Sequence, residues 1–327
     1  MINENKLSIF LTGGTGSFGR SFINTFLDDP RIEKIIVFSR DELKQFELRG
    51  LVSSPKLEFI LGDVRDRNRV IEASKGCNLI VHAAAMKQIV AAEDNPLEAI
   101  KTNVNGAENI IEAAIQNKVS KVIALSTDKA ANPANLYGAT KLCSDKLMVA
   151  ANFLPNNQTT KFSVVRYGNV VGSRGSVIPF FKDHVTLGFL PITDERMTRF
   201  WITLDEGVNF VMQAVGEMEG GEIFVPKISS FKVLDVAKII APSLPIKVIG
   251  IRPGEKLHEI MVTEDDSINT VEMNEFYVIL SPKKIEKSKF SSQGEKVPIG
   301  FKFSSDTNRE WYTHESFTKM LEDNHLV

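Results

Sequence analysis

Tyr137 and Lys141, four residues apart, have the types and spacing needed to take a proton from an alcohol. On a helix this spacing places both side chains on one face. An ammonium beside a phenol favours the phenolate and lowers the tyrosine pKa from about 10. The phenolate could then accept a hydroxyl proton while a hydride leaves the same carbon. The alternative is a surface helix with an exposed tyrosine and lysine.

A glycine-rich stretch, Thr12–Gly19, directly follows an apolar run of strand length. Without side chains, Gly13, Gly16 and Gly19 would let a diphosphate approach the free N–H groups of a helix N-terminus. Strand, turn and helix in this order are what a dinucleotide fingerprint requires, and a merely tight turn is the alternative. The predicted cofactor contacts in this stretch are Thr12, Gly13, Thr15, Gly16, Ser17, Phe18 and Gly19.

The residues that follow the second apolar run favour NADP over NAD. An acidic residue at this point would bind the ribose 2′-hydroxyl of NAD. The chain instead has Ser39 and Arg40 there, and Arg40 with Lys44 could bind a 2′-phosphate. Asp41 is the counter-argument, because it could take the ribose role itself. Arg40 could also be a solvated residue at the start of a helix.

Later strand ends supply further predicted cofactor contacts. Asp63 and Val64 follow the third run, where Asp63 could hydrogen-bond an adenine. Ala83, Ala84 and Ala85 end the fourth run, and their small side chains would let a cofactor pass close by. Ordinary packing of helix on strand is the alternative explanation for the alanines.

Apolar runs and helical patterns alternate through about residue 170. Continuous apolar runs are typical of strands buried on both faces of a parallel sheet, and the alternation predicts a doubly wound α/β (Rossmann) fold, with residues 1–170 as the NADP-binding domain. The predicted strands are Leu7–Leu11, Ile35–Phe38, Leu57–Ile60, Leu79–Ala83, Lys121–Leu125 and Phe162–Arg166, and the clearest helical pattern is Pro96–Lys118.

The alternation weakens beyond residue 170, which predicts a smaller substrate-binding lobe over residues 171–327. Some of its segments should return to the main sheet, among them the strand-like Glu222–Val225. The polar and charged stretch 264–294 is predicted to be a mobile surface excursion.

Composition argues against several classes of protein. The net charge of −2 over 327 residues gives no sign of nucleic-acid or anionic-membrane binding. No window approaches the roughly 18 apolar residues of a membrane span, and no signal peptide is visible. Cys77 and Cys143 lie in apolar contexts without metal-ligand spacing. We therefore expect two buried thiols, no metal site and a cytoplasmic location.

Long blocks of the chain resemble the extended short-chain dehydrogenase/reductases. Within them the chain is most similar to the inverting UDP-N-acetylglucosamine 4,6-dehydratases of pseudaminic acid synthesis (the PseB-like enzymes). The resemblance implies an NADP-dependent lyase that acts on UDP-N-acetylglucosamine and forms a homo-oligomer. The blocks are Thr12–Gly19, Ser39–Gln45, Ser126–Lys141, Arg166–Ser176, Met197–Gly207 and Arg252–Glu259.

Such a reaction oxidises C4, removes the C5 proton, expels the C6 hydroxyl as water and returns hydride to C6, inverting C5. The resemblance implies that Asp128 protonates the leaving hydroxyl and that Lys129 takes the C5 proton. Both roles need shifted pKa values, a protonated aspartate and a neutral lysine, which burial could provide. An ion pair in a loop is the alternative. Tyr137, where membrane-associated relatives tend to carry methionine, favours the soluble inverting type.

The resemblance also implies substrate contacts in both halves of the chain. Lys87 is expected at the junction of nicotinamide and sugar, where Tyr137 and Lys141 also meet the cofactor. His82 is expected to be a packed core residue, and helix packing explains His258 equally well. The predicted substrate-binding residues are Lys87, Asn169, Val177, Thr193 and Arg252.

Three other functions are compatible with parts of the sequence. A UDP-N-acetylhexosamine 4-epimerase needs the tyrosine and lysine but no acid and base at C6 and C5, so Asp128 and Lys129 argue against it. A C5-retaining 4,6-dehydratase would share the same groups. A non-catalytic dinucleotide sensor would keep the glycine loop and lose the Tyr137–Lys141 pair.

Overall fold

The computed structural model describes residues 6–173 and 176–327, apart from the side chain of Leu187. The strands are β1 Leu7–Thr12, β2 Ile32–Ser39, β3 Leu57–Leu61, β4 Leu79–His82, β5 Lys121–Thr127, β6 Lys161–Tyr167, β7 Asn169–Val170, β8 Leu190–Ile192, β9 Thr198–Ile202, β10 Ile223–Pro226, β11 Ser230–Lys232, β12 Ile246–Val248, β13 Ile260–Val262, β14 Thr270–Glu272, β15 Phe276–Ile279, β16 Glu295–Lys296 and β17 Phe303–Ser304. The α-helices are α1 Ser17–Phe26, α2 Glu42–Leu51, α3 Arg67–Ala73, α4 Ile89–Asp94, α5 Pro96–Ile100, α6 Gly106–Gln116, α7 Leu136–Ala151, α8 Val177–His184, α9 Leu204–Glu217, α10 Val233–Ile240, α11 Lys289–Gln293 and α12 His314–Asp323.

A ten-stranded sheet runs through the described residues in the order β16-β14-β15-β10-β6-β5-β4-β1-β2-β3. The seven strands from β10 to β3 are parallel, and β14, β15 and β16 add an antiparallel edge. Separate apolar clusters cover the two faces, one including α3, α6 and α7 and the other including α1 and α9. The predicted doubly wound α/β fold is confirmed.

The strand order reverses between β1 and β4. The chain builds β1, β2 and β3 in one direction and then returns to place β4 on the other side of β1, with Thr12 paired to His82. In open α/β sheets a ligand binds in the crevice at this reversal, beyond the carboxyl ends of the strands. The ends of β1, β4 and β5 are therefore where a site is expected.

The predicted helix over Pro96–Lys118 is interrupted by one π-helical turn. Helix α5 leads into a π-turn at Lys101–Asn105, which leads into α6. The turn carries the buried Asn103, whose side chain hydrogen-bonds to both backbone groups of Met86 and to the Thr140 hydroxyl. The turn therefore ties the loop after β4 to α7.

Beyond residue 170 one prediction is confirmed and one is wrong. Strand β10 covers most of the predicted Glu222–Val225 and pairs with β6 in the main sheet. The stretch 264–294 is not a mobile excursion, because it contains β14 and β15 and the buried Phe290. Charged loops around these short strands hide their apolar pattern from a reading of composition. The division into residues 1–170 and 171–327 stays a prediction.

A third apolar cluster lies outside the large sheet. It surrounds Trp201 of β9 and Phe231 of β11 with residues from α8, α10 and α12. The Phe231 ring stacks on Phe317 with centroids 4.3 Å apart, and Trp201 meets the same ring edge-on. This packing supports the short sheet β11-β9-β7, whose last strand begins at Asn169.

Of the two cysteines, Cys77 is buried as predicted, and burial raises its pKa to about 12. The prediction of a buried Cys143 is wrong, because this residue lies on the exposed side of α7. Within residues 6–173 and 176–327, the helices are too short or too polar to cross a lipid bilayer.

Candidate active site

The glycine-rich stretch forms a tight turn between β1 and α1. Gly13 has φ +67°, and a Cβ there would lie 2.9 Å from the Ala84 backbone nitrogen. A Cβ at Gly19 would collide with the Gly14 backbone, whereas Gly16, the N-cap of α1, meets only the Gly13 carbonyl at 3.2 Å. The first turn of α1 has no acidic residue and no side-chain cap. Its N–H groups therefore suit a diphosphate.

Thr12 and His82 join the carboxyl ends of β1 and β4. The Thr12 hydroxyl lies 2.8 Å from His82 Nδ1 and accepts a hydrogen bond from the Ala84 backbone N–H at 3.2 Å. Burial, helped by the charge of Lys141, lowers the pKa of His82 to about 3 and keeps the ring neutral. His82 is a packed core residue, as predicted. Ala83 and Ala84 are half-buried beside this contact, while Ala85 and Lys87 are exposed in the loop that follows.

Asp41, which follows β2, is the N-cap residue of α2. Its carboxylate caps α2, accepting hydrogen bonds from the Lys44 backbone N–H at 3.0 Å and the Lys44 ammonium at 2.6 Å. The Ser39 hydroxyl accepts from Gln45. The Arg40 side chain is 65% exposed, with its guanidinium 3.9 Å from Asp63. Arg40 is thus the more open of the two basic groups.

Asp63 lies across from Arg40 after β3. Its carboxylate accepts hydrogen bonds from the Arg65 backbone N–H at 3.0 Å and the Arg65 guanidinium at 2.7 Å. Burial alone would raise the pKa of Asp63, but these bonds outweigh it and lower the pKa. Val64 is buried, and its carbonyl accepts from Asn109. Asp63 is thus held as a carboxylate.

Tyr137 and Lys141 lie in the first two turns of α7, on one face as predicted. Asn135 caps the helix by accepting a hydrogen bond from the Gly138 backbone N–H at 2.8 Å. A Cβ at Gly138 would collide with the Lys129 carbonyl oxygen. Glycine at this position therefore lets α7 pack directly on the turn that carries Asp128 and Lys129.

The predicted lowering of the Tyr137 pKa is wrong for the protein by itself. Burial raises the pKa of Tyr137 to about 12, while the charge of Lys129 and a hydrogen bond from Thr127 lower it by less. Burial also lowers the pKa of Lys141, which is only 3% exposed. Burial therefore disfavours the positive charge on Lys141 that was expected to lower the pKa of Tyr137.

Asp128 and Lys129 form the loop ion pair that was the alternative interpretation. They lie in a short 3-10 turn after β5, with Lys129 Nζ 3.0 Å from Asp128 Oδ1, and Asp128 is fully buried. Burial alone would lower the pKa of Lys129, but the carboxylates of Asp128 and Glu259 outweigh it and raise the pKa. The neutral lysine that elimination requires is thus not the resting form of Lys129.

Sequence reasoning missed three charged residues around this pair. Glu259, 2% exposed, lies 3.6 Å from Lys129, 3.8 Å from Arg199 and 3.8 Å from Lys256. Arg199 and Lys256 come from two of the family-like sequence blocks, and Glu259 ends one of them. Their membership in those blocks was the available signal, but nothing in their spacing places them beside Lys129.

The predicted substrate residues are brought together only in part. Asn169 lies beside the ion pair, with its Oδ1 accepting from Lys129 Nζ at 3.4 Å. Val177 begins α8, Thr193 is buried against Met197, and the Arg252 guanidinium lies 5.4 Å from the centre of the Phe180 ring. These three residues have no described contact with Asp128 or Lys129.

Helix packing, one of the two open interpretations of His258, does not apply. This residue lies in a loop before β13, where its Nδ1 is 2.7 Å from the Thr198 hydroxyl. Burial is the largest influence on its pKa and lowers it. His258 therefore helps to fix the position of the neighbouring Glu259.

Comparison with known families decides the relationship that the sequence blocks suggested. A family model described as polysaccharide biosynthesis protein matches residues 9–281. The chain belongs to this family. It is 52% identical over 326 residues to a UDP-N-acetylglucosamine 4,6-dehydratase (inverting) of Campylobacter jejuni, covering 97% of this chain and 98% of the relative. The resemblance to the inverting dehydratases is thereby confirmed.

Other proteins that are similar to this chain have different names. A UDP-glucose 4-epimerase of Rickettsia canadensis is 41% identical over 298 residues, covering 88% of this chain and 87% of the relative. Among solved structures, Pen from Bacillus thuringiensis superimposes with a TM-score of 0.91 at 32% identity, covering both chains completely. Family membership alone therefore does not choose between dehydration and epimerisation.

Proposed function

We propose that this protein is an NADP-dependent UDP-N-acetylglucosamine 4,6-dehydratase that inverts C5. The observation that carries the proposal is the Asp128–Lys129 pair. Helix α7 packs against the turn that carries this pair, and both charges influence the pKa of Tyr137. Alcohol oxidation needs only the tyrosine and its lysine. A second acid and base at the same place supply what elimination of water needs in addition.

The cofactor that fits is a nicotinamide dinucleotide. Its diphosphate would lie on the N-terminus of α1, where Gly16 leaves room and no carboxylate opposes it. We favour NADP because Asp41 is engaged as the cap of α2, so Arg40 is the group open to a 2′-phosphate. Asp63, Val64 and Ala83 to Ala85 would flank the adenosine and the passage toward Lys87.

Tyr137 performs the first step of the proposed reaction by accepting the proton of the C4 hydroxyl. A nicotinamide dinucleotide held at the N-terminus of α1 would supply the acceptor and donor of hydride, and its positive ring charge would favour the phenolate. That charge opposes the effect of burial, which raises the pKa of Tyr137 to about 12. Lys141 lies on the same face of α7, and its ammonium would also favour the phenolate of Tyr137.

The resting ion pair already contains the proton that elimination needs. Moving one proton from Lys129 to Asp128 turns an ammonium and a carboxylate into an amine and a carboxylic acid. The amine takes the C5 proton while the acid protonates O6, which leaves as water, and the ion pair is restored. C5 then receives a proton on the opposite face, either the one that Tyr137 removed from the C4 hydroxyl or one from water. Two protons are thus removed from the sugar, and two are donated to it.

Incubation of the purified protein with UDP-N-acetylglucosamine and NADP tests the proposal. We expect a product lighter by one water in the mass spectrum, with deuterium at C5 when the reaction is run in D₂O. Configuration at C5, measured by NMR coupling constants, separates inversion from retention. A substrate recovered at its original mass would end the proposal.

A UDP-sugar 4-epimerase is the second candidate. It is favoured by the named relative from Rickettsia and by the presence of Tyr137 and Lys141, which epimerisation also needs. Epimerisation keeps the mass unchanged and leaves C5–H in place, so no solvent deuterium would enter at C5.

The proposed location is the cytoplasm, the proposed assembly is a homo-oligomer, and the proposed product is an intermediate for pseudaminic-acid-type glycans.

A further inference from the structure

Glu259 is a buried carboxylate beside the proposed catalytic lysine. Its Oε1 lies 3.6 Å from Lys129 Nζ and 3.8 Å from Arg199 Nε, and its Oε2 lies 3.8 Å from Lys256 Nζ. Among the described residues, Oε2 has no hydrogen-bond partner. A buried carboxylate with an unsatisfied oxygen destabilises a fold. Such a group calls for an explanation other than stability.

The backbone of Glu259 is fixed from both sides. Its N–H donates to the Ser305 hydroxyl at 3.0 Å, and its carbonyl accepts from the Ser305 N–H at 2.9 Å. The Ser305 hydroxyl in turn contacts Thr198 of β9 at 2.7 Å. Strand β13, which begins at the next residue, packs against the Asp128–Ala130 turn. The carboxylate is therefore aimed at Lys129 by a rigid frame.

Arg199 completes that frame. Its guanidinium donates to the Leu257 carbonyl at 3.1 Å and to the Lys256 carbonyl at 3.0 Å, which holds the segment leading to Glu259. Lys256 donates to the Ala131 carbonyl at 2.7 Å, at the end of the turn that carries Lys129. The two cations thus bind backbone groups as well as the carboxylate.

We propose that Glu259 is a positioning residue that holds Lys129 in place beside Asp128 and governs how readily Lys129 gives up its proton. This inference rests on the role given to Lys129 under the proposed function. Lys129 lies between two carboxylates, and each stabilises the ammonium. When Lys129 passes its proton to Asp128, Glu259 remains charged and is balanced by Arg199 and Lys256. The neutral pair therefore forms without leaving an isolated buried charge.

The test follows the titration of Lys129 in protein labelled with ¹³C at the lysine ε-carbons, with Lys129→Gln identifying the signal. We expect the wild-type signal to keep its ammonium position through about pH 10. In Glu259→Gln the midpoint should fall by about 1–3 pH units, because an opposite charge at this range changes a pKa by that much. The limb of the dehydration rate that falls as pH rises, where the Asp128–Lys129 pair loses its one proton to solvent, should move to lower pH by the same amount.

Glu222→Gln is the matched control, since Glu222 is also 2% exposed but accepts from Ser163 and Gly220. It should leave the Lys129 titration in place. Glu259→Asp keeps the carboxylate but places it farther from Lys129, so it should give a smaller shift in the same direction. This variant replaces the glutamine variant in the test if the latter does not fold. An unmoved Lys129 signal in the Glu259 variants, or an equal shift in Glu222→Gln, overturns the inference.

The titration needs no substrate, so the two proposals can fail separately. If the wild type leaves UDP-N-acetylglucosamine unchanged but Glu259→Gln shifts Lys129, the dehydratase is refuted and the positioning role of Glu259 stands. If dehydration occurs and the Lys129 midpoint does not respond to Glu259, the dehydratase stands and the positioning role is refuted.

Discussion

Lys129 is an ammonium at rest, paired with Asp128 at 3.0 Å and approached by Glu259 at 3.6 Å. A base for C5 must therefore be generated within the site. Transfer of one proton over the short distance to Asp128 achieves this without exchange with solvent. The buried Asp128 Oδ2, which lacks a hydrogen-bond partner among the described residues, is where that proton would be held.

Replacing Lys129 should separate oxidation from elimination. In Lys129→Gln we expect water loss to fall by roughly 10²–10⁴-fold, the usual contribution of a general base. Tyr137 and Lys141 remain, so hydride should still leave C4. The absorbance of reduced nicotinamide, measured in a single turnover with stoichiometric enzyme, should rise and persist.

Lys146→Gln, an exposed change on α7, is the control and should keep both the product and the transient absorbance of the wild type. Normal water loss in Lys129→Gln would remove the lysine from the proposed mechanism.

The candidate catalytic residues could be predicted from the sequence, but their protonation could not. Tyr137, Lys141, Asp128 and Lys129 were predicted from residue type and spacing or from the family resemblance, and the structure gathers them at one sheet edge. Their charges depend on burial and on Glu259, which comes from a segment more than a hundred residues away. Spacing along the chain carries no information about such a contact.

The residues that are proposed to select the cofactor, Arg40 and Lys44, lie just before helix α2 and in its first turn. Arg40→Ala should weaken NADP binding by about 10- to 100-fold, since a hydrogen bond to a charged group contributes about 1.5–3 kcal/mol. NAD binding should change little, because NAD has no 2′-phosphate. Titration of each dinucleotide against protein fluorescence gives both dissociation constants.

Arg67→Ala is the matched control for Arg40, because Arg67 is exposed on α3 and pairs with Glu112. It should affect neither dinucleotide. Equal weakening of NADP and NAD by Arg40→Ala would contradict the proposed preference.

The π-turn between α5 and α6 fixes the loop after β4. Asn103→Ala would leave the Met86 N–H and carbonyl without their partners, so we expect the free energy of unfolding to fall by about 1–3 kcal/mol. Urea unfolding measures the change. Asn105→Ala, in the same turn but exposed and bonded only to Glu108 in the described contacts, should lie within about 0.5 kcal/mol of the wild type.

The seven parallel strands of the large sheet were predictable because each is a short apolar run flanked by polar residues. The π-turn was not, since apolar residues recur at helical spacing straight through Pro96–Lys118 and one inserted residue hardly alters that pattern. Strands β14 and β15 were hidden for another reason. They have three and four residues, and each lies between charged loops that dominate the composition of the stretch.

The buried Arg166 connects distant parts of the whole molecule. It extends from β6 to Asp145 of α7 at 3.4 Å, to Asp266 at 3.4 Å and to the Met261 carbonyl at 3.0 Å. Asp145 also accepts from Ser126, at the end of β5. Burial raises the pKa of Asp145, against the opposing charges of Arg166 and Lys141. This network links the candidate site to the segment that contains β13.

Arg166→Met should lower the free energy of unfolding by about 3–5 kcal/mol, because it leaves Asp145 as an unpaired buried charge. Adding Asp145→Leu should restore part of the loss, so that the double variant is more stable than the sum of the single effects predicts. Urea unfolding of the four proteins forms the cycle. Strictly additive effects would show that the two residues do not interact.

Gly138 has a consequence for how this family can change its chemistry. Because α7 rests directly on the Lys129 carbonyl, the oxidising pair and the Asp128–Lys129 turn keep one mutual geometry whatever side chains the turn carries. New side chains in the turn can redirect the ketone after oxidation without disturbing the oxidation itself. Relatives named for dehydration and for epimerisation on one scaffold are what such a division of labour would produce.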